Sequence, residues 1–136
     1  MGKVKEAERF IDNKDNTVTD SKTGLQWIKD HVALGGKFTD RMDYKEAEAE
    51  CGKLNVGGVK DWRLPTREEL LSIVDLTRFN PAVDPIFINT KSSAYWTSTT
   101  YADYTGYAWF VSFYIGYVYY DDKVYGCYVR PVRSSQ

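Results

Sequence analysis

Ten of the chain's eleven tyrosines lie between Tyr95 and Tyr128. Most alternate with Gly, Ser, Thr and Asp rather than with aliphatics, through Tyr101, Asp103, Tyr104, Tyr107, Tyr114, Tyr117, Tyr119, Tyr120, Asp121, Asp122 and Tyr125. A core is not built this way, because every buried phenol hydroxyl needs a partner. A recognition surface is. Tyrosine supplies large, stiff, amphipathic contact area at low entropy cost, and small polar neighbours let it adapt. The composition points to a chain that binds something rather than transforms it. The plainer alternative is a half-exposed antiparallel sheet, where tyrosine is a good strand former.

The composition of the whole 136-residue chain narrows the classes. The length suits one domain with a real core. Residues 1–8 read as a charged leader, expected to be disordered, and 9–136 as a single domain with its binding region at about 99–128. A net charge of −1 argues against a nucleic-acid partner, which would need a basic stripe. No apolar run is long enough for membrane insertion, and the first residues lack the apolar stretch of a signal peptide. Cys51 and Cys127 have no short spacing and no His/Cys neighbours, so no metal site and no cofactor is implied. They read as small buried hydrophobes, with a disulfide between them left open.

Along the chain, Arg9–Ile11, Thr17–Asp20 and Leu25–Ile28 read as short strands joined by Asx and Gly turns. Residues 30–40 read as a loop. Asp43 and Glu46, then Thr66 and Glu69, have capping-box spacing and open two helices. The first, Asp43–Leu54, buries Ala47, Cys51 and Leu54; the second buries Leu70, Leu71, Val74 and Ile73. Asn80-Pro81 and Asp84-Pro85 mark an irregular crossing. Tyr95–Ser98, Ala108–Tyr114, Gly116–Tyr120 and Tyr128–Val132 read as a hairpin-rich antiparallel sheet. In Ala108–Tyr114, Trp109, Val111 and Phe113 share one face, and Phe110, Ser112 and Tyr114 the other. The expected fold class is α+β, with two helices packed on antiparallel strands and an irregular C-terminal half.

Several segments together resemble one family: Thr17-Val18-Thr19-Asp20, Thr23-Gly24-Leu25-Gln26-Trp27, Asp61-Trp62-Arg63-Leu64-Pro65-Thr66, Glu68-Glu69-Leu70, Tyr95-Trp96-Thr97-Ser98 and Tyr128-Val129-Arg130-Pro131-Val132-Arg133. In this order they are similar to the prokaryotic and viral C-type-lectin-like domain that ends collagen-like bacterial adhesins. The resemblance implies a C-type lectin-like fold. Its scaffold would be carried by Trp27, Trp62, Leu70, Leu71, Val74, Trp96, Trp109, Val111, Phe113 and Val129.

Between those positions the chain also looks like the variable proteins of diversity-generating retroelements. There, adenine-directed mutagenesis rewrites chosen codons, often for asparagine, toward Tyr, Asp, Ser, Phe, Gly, Ala, Thr, Val or Ile. Between Tyr101 and Gly126, Glu, Gln and Met are absent. The resemblance implies a diversified face of Tyr101, Asp103, Tyr104, Tyr107, Phe110, Ser112, Tyr114, Tyr117, Tyr119, Tyr120, Asp121, Asp122 and Tyr125. Its partner would be a protein ligand or receptor, its rings the anchors, and the chain a monomer displayed on a virion or cell surface through another component. A carbohydrate- or matrix-binding adhesin module is the alternative.

Calcium is disfavoured, since the sugar-binding motifs of the lectin namesake (Glu-Pro-Asn, Gln-Pro-Asp, Trp-Asn-Asp) do not occur here. A formylglycine-generating type of enzyme is the remote alternative. With one histidine, His31, set in a glycine-flanked loop, no Ser/His/Asp or Cys/His arrangement can be argued, and the chain reads as non-catalytic.

Overall fold

In the computed structural model, residues 8–134 are described. The charged leader 1–8 therefore lies, except for Glu8, outside the described residues. The strands are β1 (Phe10–Asp12), β2 (Thr17–Asp20), β3 (Leu25–Ile28), β4 (Ala94–Thr100), β5 (Tyr107–Ser112), β6 (Tyr117–Asp122) and β7 (Val132–Ser134). They form two antiparallel sheets, β1-β2-β3-β7 and β4-β5-β6.

The expected α+β architecture, a C-type lectin-like fold with two helices packed on strands, is corrected by this arrangement. The described chain is mostly β. Its α-helices are only α1 (Tyr44–Gly52) and α2 (Arg67–Leu71), nine and five residues long. Both capping boxes form as their spacing requires: Asp43 accepts from the Glu46 N–H and Thr66 from the Glu69 N–H, and each Glu returns the bond. A cap fixes where a helix starts, not how far it runs. The second helix stops at once: past Ser72 the Ile73 and Val74 N–H groups turn back only three residues, to the Leu70 and Leu71 carbonyls, and Val74 pairs in a β-bridge with Val83. Residues 30–40 fold as two short 3-10 turns, Val32–Leu34 and Gly36–Thr39.

Two apolar clusters lie on either side of the β4-β5-β6 sheet. One joins it to the four-stranded sheet through Val18, Trp27, Leu70, Phe87, Tyr95, Val111, Phe113 and Val132. The other joins it to α1 through Met42, Tyr44, Ala47, Cys51, Trp96, Phe110, Cys127 and Val129. Leu71 and Val74, expected in the scaffold, are only half-buried. Two cysteines in one cluster remain free thiols.

The last segment differs from its expected strand. Tyr128–Val132 contributes one parallel bridge, Tyr95 to Tyr128, and the strand proper is Val132–Ser134. Pro131 has no N–H to give to a ladder. Arg130, just before it, turns fully inward and donates to the Ile28 and Lys29 carbonyls at 2.7 and 2.8 Å and to Thr90 Oγ1 at 2.7 Å. Arg130 thus clamps the end of β3 to the crossing segment. Tyr95 completes this interior: its hydroxyl lies 2.7 Å from His31 Nε2 and accepts the Lys91 N–H at 2.8 Å.

Candidate binding surface

Among the described residues, the β5–β6 hairpin carries Tyr114, Tyr117 and Tyr119 of the exposed aromatic side chains, and Tyr104 and Tyr125 flank it. Its register pairs Trp109 with Tyr120, Phe110 with Tyr119 and Ser112 with Tyr117. Side chains alternate along a strand. On β6, Tyr117, Tyr119 and Asp121 therefore share one face, and Val118, Tyr120 and Asp122 the other.

Rings connect along this hairpin and the preceding loop. Tyr104 meets Tyr107 at 4.7 Å between centroids, and Tyr107 meets Tyr120 at 5.6 Å. Tyr120 stacks on Tyr101 at 4.2 Å and 13°, and meets Trp109 edge-on at 5.4 Å. It also meets Tyr119 at 4.6 Å, and both Tyr119 and Tyr117 approach the edge of Phe110 at 6.4 Å. Offset and edge-to-face pairs of this kind are the favoured aromatic geometries. The neighbouring Tyr120 phenol raises the Tyr119 phenol above its ordinary pKa.

The sequence-predicted positions divide into three groups. Tyr104, Tyr114, Tyr117, Tyr119 and Tyr125 are exposed, Tyr104 and Tyr125 by 57% and 61%. Asp103 is exposed too. Tyr114 sits in the β5–β6 turn and Tyr125 beyond the end of β6, both outside the chain of rings. Tyr101, Tyr107, Tyr120, Asp121 and Asp122 are half-buried. Phe110 and Ser112 are buried, at 9% and 4% exposure, so they back the surface rather than form it. The reason lies in the second apolar cluster, which covers the face of β5 that Phe110 and Ser112 share.

Two carboxylates are partly engaged by their own backbone: Asp121 Oδ1 accepts the Asp122 N–H at 2.8 Å, and Asp122 Oδ1 accepts the Val124 N–H at 3.1 Å. Among the described residues, Asp103, Asp121 and Asp122 form no ion pair.

Three contributors were not anticipated. Trp109, expected in the scaffold, is half-buried and belongs to the ring cluster. Arg67, the first residue of α2, lays its guanidinium 4.8 Å from the Trp109 ring centroid. Lys123 stands 4.5 Å from the Tyr44 ring and bonds Thr100 Oγ1 at 3.1 Å. No sequence signal links Arg67 to a tryptophan so far along the chain. Trp109 could have been found from its neighbours, since a strand face shared with Tyr107 reaches the surface at its end.

The reactive side chains lie elsewhere. His31 is fully buried, with Nδ1 2.9 Å from the Phe38 carbonyl. Burial, with the Arg130 charge as the next cause, lowers its pKa to about 4. Burial likewise pushes the Cys51 and Cys127 thiols up to about 12, so neither holds appreciable thiolate at neutral pH.

A β-rich scaffold that displays a contiguous aromatic surface on one hairpin defines a ligand-binding type of domain. The Lcl C-terminal domain family matches residues 16–133, and the chain belongs to it. That family is of the lectin-like, ligand-binding type. Comparison with curated proteins gave no match.

Proposed function

We propose that the domain is a non-catalytic recognition protein whose β5–β6 hairpin and 101–106 loop form a replaceable binding face for a protein target. The observation that carries this reading is the division of the tyrosines. Tyr95 is buried and hydrogen-bonded at the centre of the scaffold, whereas Tyr104, Tyr114, Tyr117, Tyr119 and Tyr125 project outward. Exposed rings of this density cost solubility and are retained where they bind.

The reading extends to a variable protein of a diversity-generating retroelement. Support comes from the residue types between Tyr101 and Gly126, almost all reachable from asparagine codons by adenine changes. Two measurements test it. A near-identical template repeat beside a reverse transcriptase gene is expected at the locus, and its absence refutes the retroelement origin. Tyr104→Ala with Tyr119→Ala is expected to weaken binding to a cognate target at least about a hundredfold, as loss of two anchors does, while Tm moves by only a few degrees. Unchanged affinity refutes the face. Binding that a glycan array reproduces, and that survives changes of tyrosine position, would place the domain among carbohydrate adhesins instead.

A further inference from the structure

The three-stranded sheet ends at β6, and the hydrogen-bond parity of the hairpin determines which backbone groups face outward. Lys123 N–H donates to the Gly106 carbonyl at 2.9 Å, which makes Tyr107–Asp122 a non-hydrogen-bonded pair. Ala108–Asp121, Phe110–Tyr119 and Ser112–Tyr117 are then the bonded pairs. The bonds from Tyr101 N–H to the Tyr107 carbonyl and from Thr97 Oγ1 to the Trp109 carbonyl agree, since both place the odd-numbered β5 residues toward β4. On β6 the groups of Val118, Tyr120 and Asp122 consequently point away from β5. Asp122 is satisfied locally: its N–H by Asp121 Oδ1 and its carbonyl by the Tyr125 N–H. Val118 and Tyr120 keep N–H and C=O groups with no protein partner among the described residues.

An unpaired edge is a template for another strand, and proteins usually blunt it with lysine, proline or a bulge. None of these lies within β6. Its register with β5 is unbroken over six residues. The carboxylates of Asp121 and Asp122 lie one on each face of this edge. Among residues 101–126 the ionisable charges are Asp103, Asp121, Asp122 and Lys123, so three negative and one positive give a net −2. Lys123 is already engaged by Thr100 and the Tyr44 ring. The ring cluster also demonstrates that it accepts a guanidinium, because Arg67 occupies Trp109.

We propose that β6 is the docking edge, and that its occupant is an extended, arginine- or lysine-bearing segment of a partner protein that adds a fourth strand beside Val118 and Tyr120. The main chain of the segment supplies hydrogen bonds to those two residues. Its side chains alternate between the Tyr117–Tyr119–Asp121 face and the Tyr120–Asp122 face, where cations meet carboxylates and ring faces. This rests on the recognition role of the tyrosine face and specifies its partner chemistry.

The test uses the whole chain and a library of random twelve-residue peptides. Selected peptides are expected to carry Arg or Lys at alternate positions. The strongest is then synthesised with and without N-methyl groups on the amides that face β6. N-methylation leaves charge unchanged, so a loss of about tenfold or more in affinity reports strand hydrogen bonds. Amide exchange of Val118 and Tyr120 is expected to slow at least about tenfold at saturation. Selection without alternating basic residues, equal binding of the N-methylated peptide, or unchanged exchange at Val118 and Tyr120 each overturns edge docking. If any of these occurs while Tyr104→Ala with Tyr119→Ala still abolishes target binding, the recognition face stands and only the strand addition fails.

Discussion

His31 makes the scaffold beneath the aromatic sheet sensitive to acid, and the size of the effect follows from its surroundings. The ring is fully buried between the Phe38 carbonyl and the Tyr95 hydroxyl, with the charges of Arg130, Asp30 and Lys91 acting on it. Its pKa falls from 6.5 to about 4, first through burial and then through Arg130. Below the ordinary value, the unfolded chain binds a proton that the folded chain refuses. The neutral ring's stabilisation is therefore complete above about pH 6.5 and is lost as pH falls toward 4, where the folded protein itself takes up the proton. At 1.36 kcal/mol per unit, the full gap corresponds to about 3.4 kcal/mol, and linkage gives about 2 kcal/mol lost between roughly pH 7 and pH 5. That is a large share of a domain's stability of about 5–15 kcal/mol. Urea unfolding across this range measures it. Asp20 and Glu69 have lowered pKa values and add loss of the same sign at lower pH, so the comparison is with His31→Gln. The variant should lose the steep slope above about pH 5 whatever its absolute stability. Equal slopes in the two proteins, or an NMR titration that places the ring near 6.5, would refute the argument.

Gly116→Ala should be costly, because Gly116 has φ +91° and an added Cβ would lie 2.6 Å from Val74 Cγ1 and 3.2 Å from Leu76 Cδ2. A loss of about 1–3 kcal/mol is expected by chemical denaturation, and a change under about 0.5 kcal/mol would contradict the packing of the hairpin turn on this segment. Cys51 and Cys127 should react with a thiol reagent only at the rate of unfolding, since both are buried with pKa values of about 12. Rapid labelling of the native protein would show that the second apolar cluster opens.

The local rules were legible in the sequence, and their extent was not. Asx turns and alternation located β2 and β3 at their observed bounds, and the two capping boxes formed at Asp43 and Thr66. The helices came out shorter than their apolar spacing suggested, because Ile73 and Val74 are used in packing and bridging rather than in a second helical turn. On β5, alternation correctly grouped Phe110 with Ser112. Alternation states which residues share a face, but only the tertiary arrangement states whether that face meets water. Here α1 and Met42 cover it. The same limit hid Arg67, whose contact with Trp109 spans distant parts of the chain.

The half-buried rings show how far recognition and stability are separated. Tyr104, Tyr117 and Tyr119 project from the hairpin and its loop, and Tyr114 and Tyr125 touch no other ring among the described residues. Tyr120 is different: it meets Tyr101, Tyr107, Trp109 and Tyr119 at 4.2 to 5.6 Å. At about 0.5–1.5 kcal/mol for each well-formed aromatic pair, losing Tyr120 removes roughly 2 kcal/mol or more. A face rewritten at random would therefore be limited by folding at Tyr101 and Tyr120 and by binding at the five exposed positions. Libraries randomised separately at these two sets and sorted by protease resistance should differ, with most members surviving at the exposed set and a minority at Tyr101 and Tyr120. Equal survival would mean that the stacked rings contribute nothing to the fold, and that the whole face hangs on the backbone of the hairpin alone.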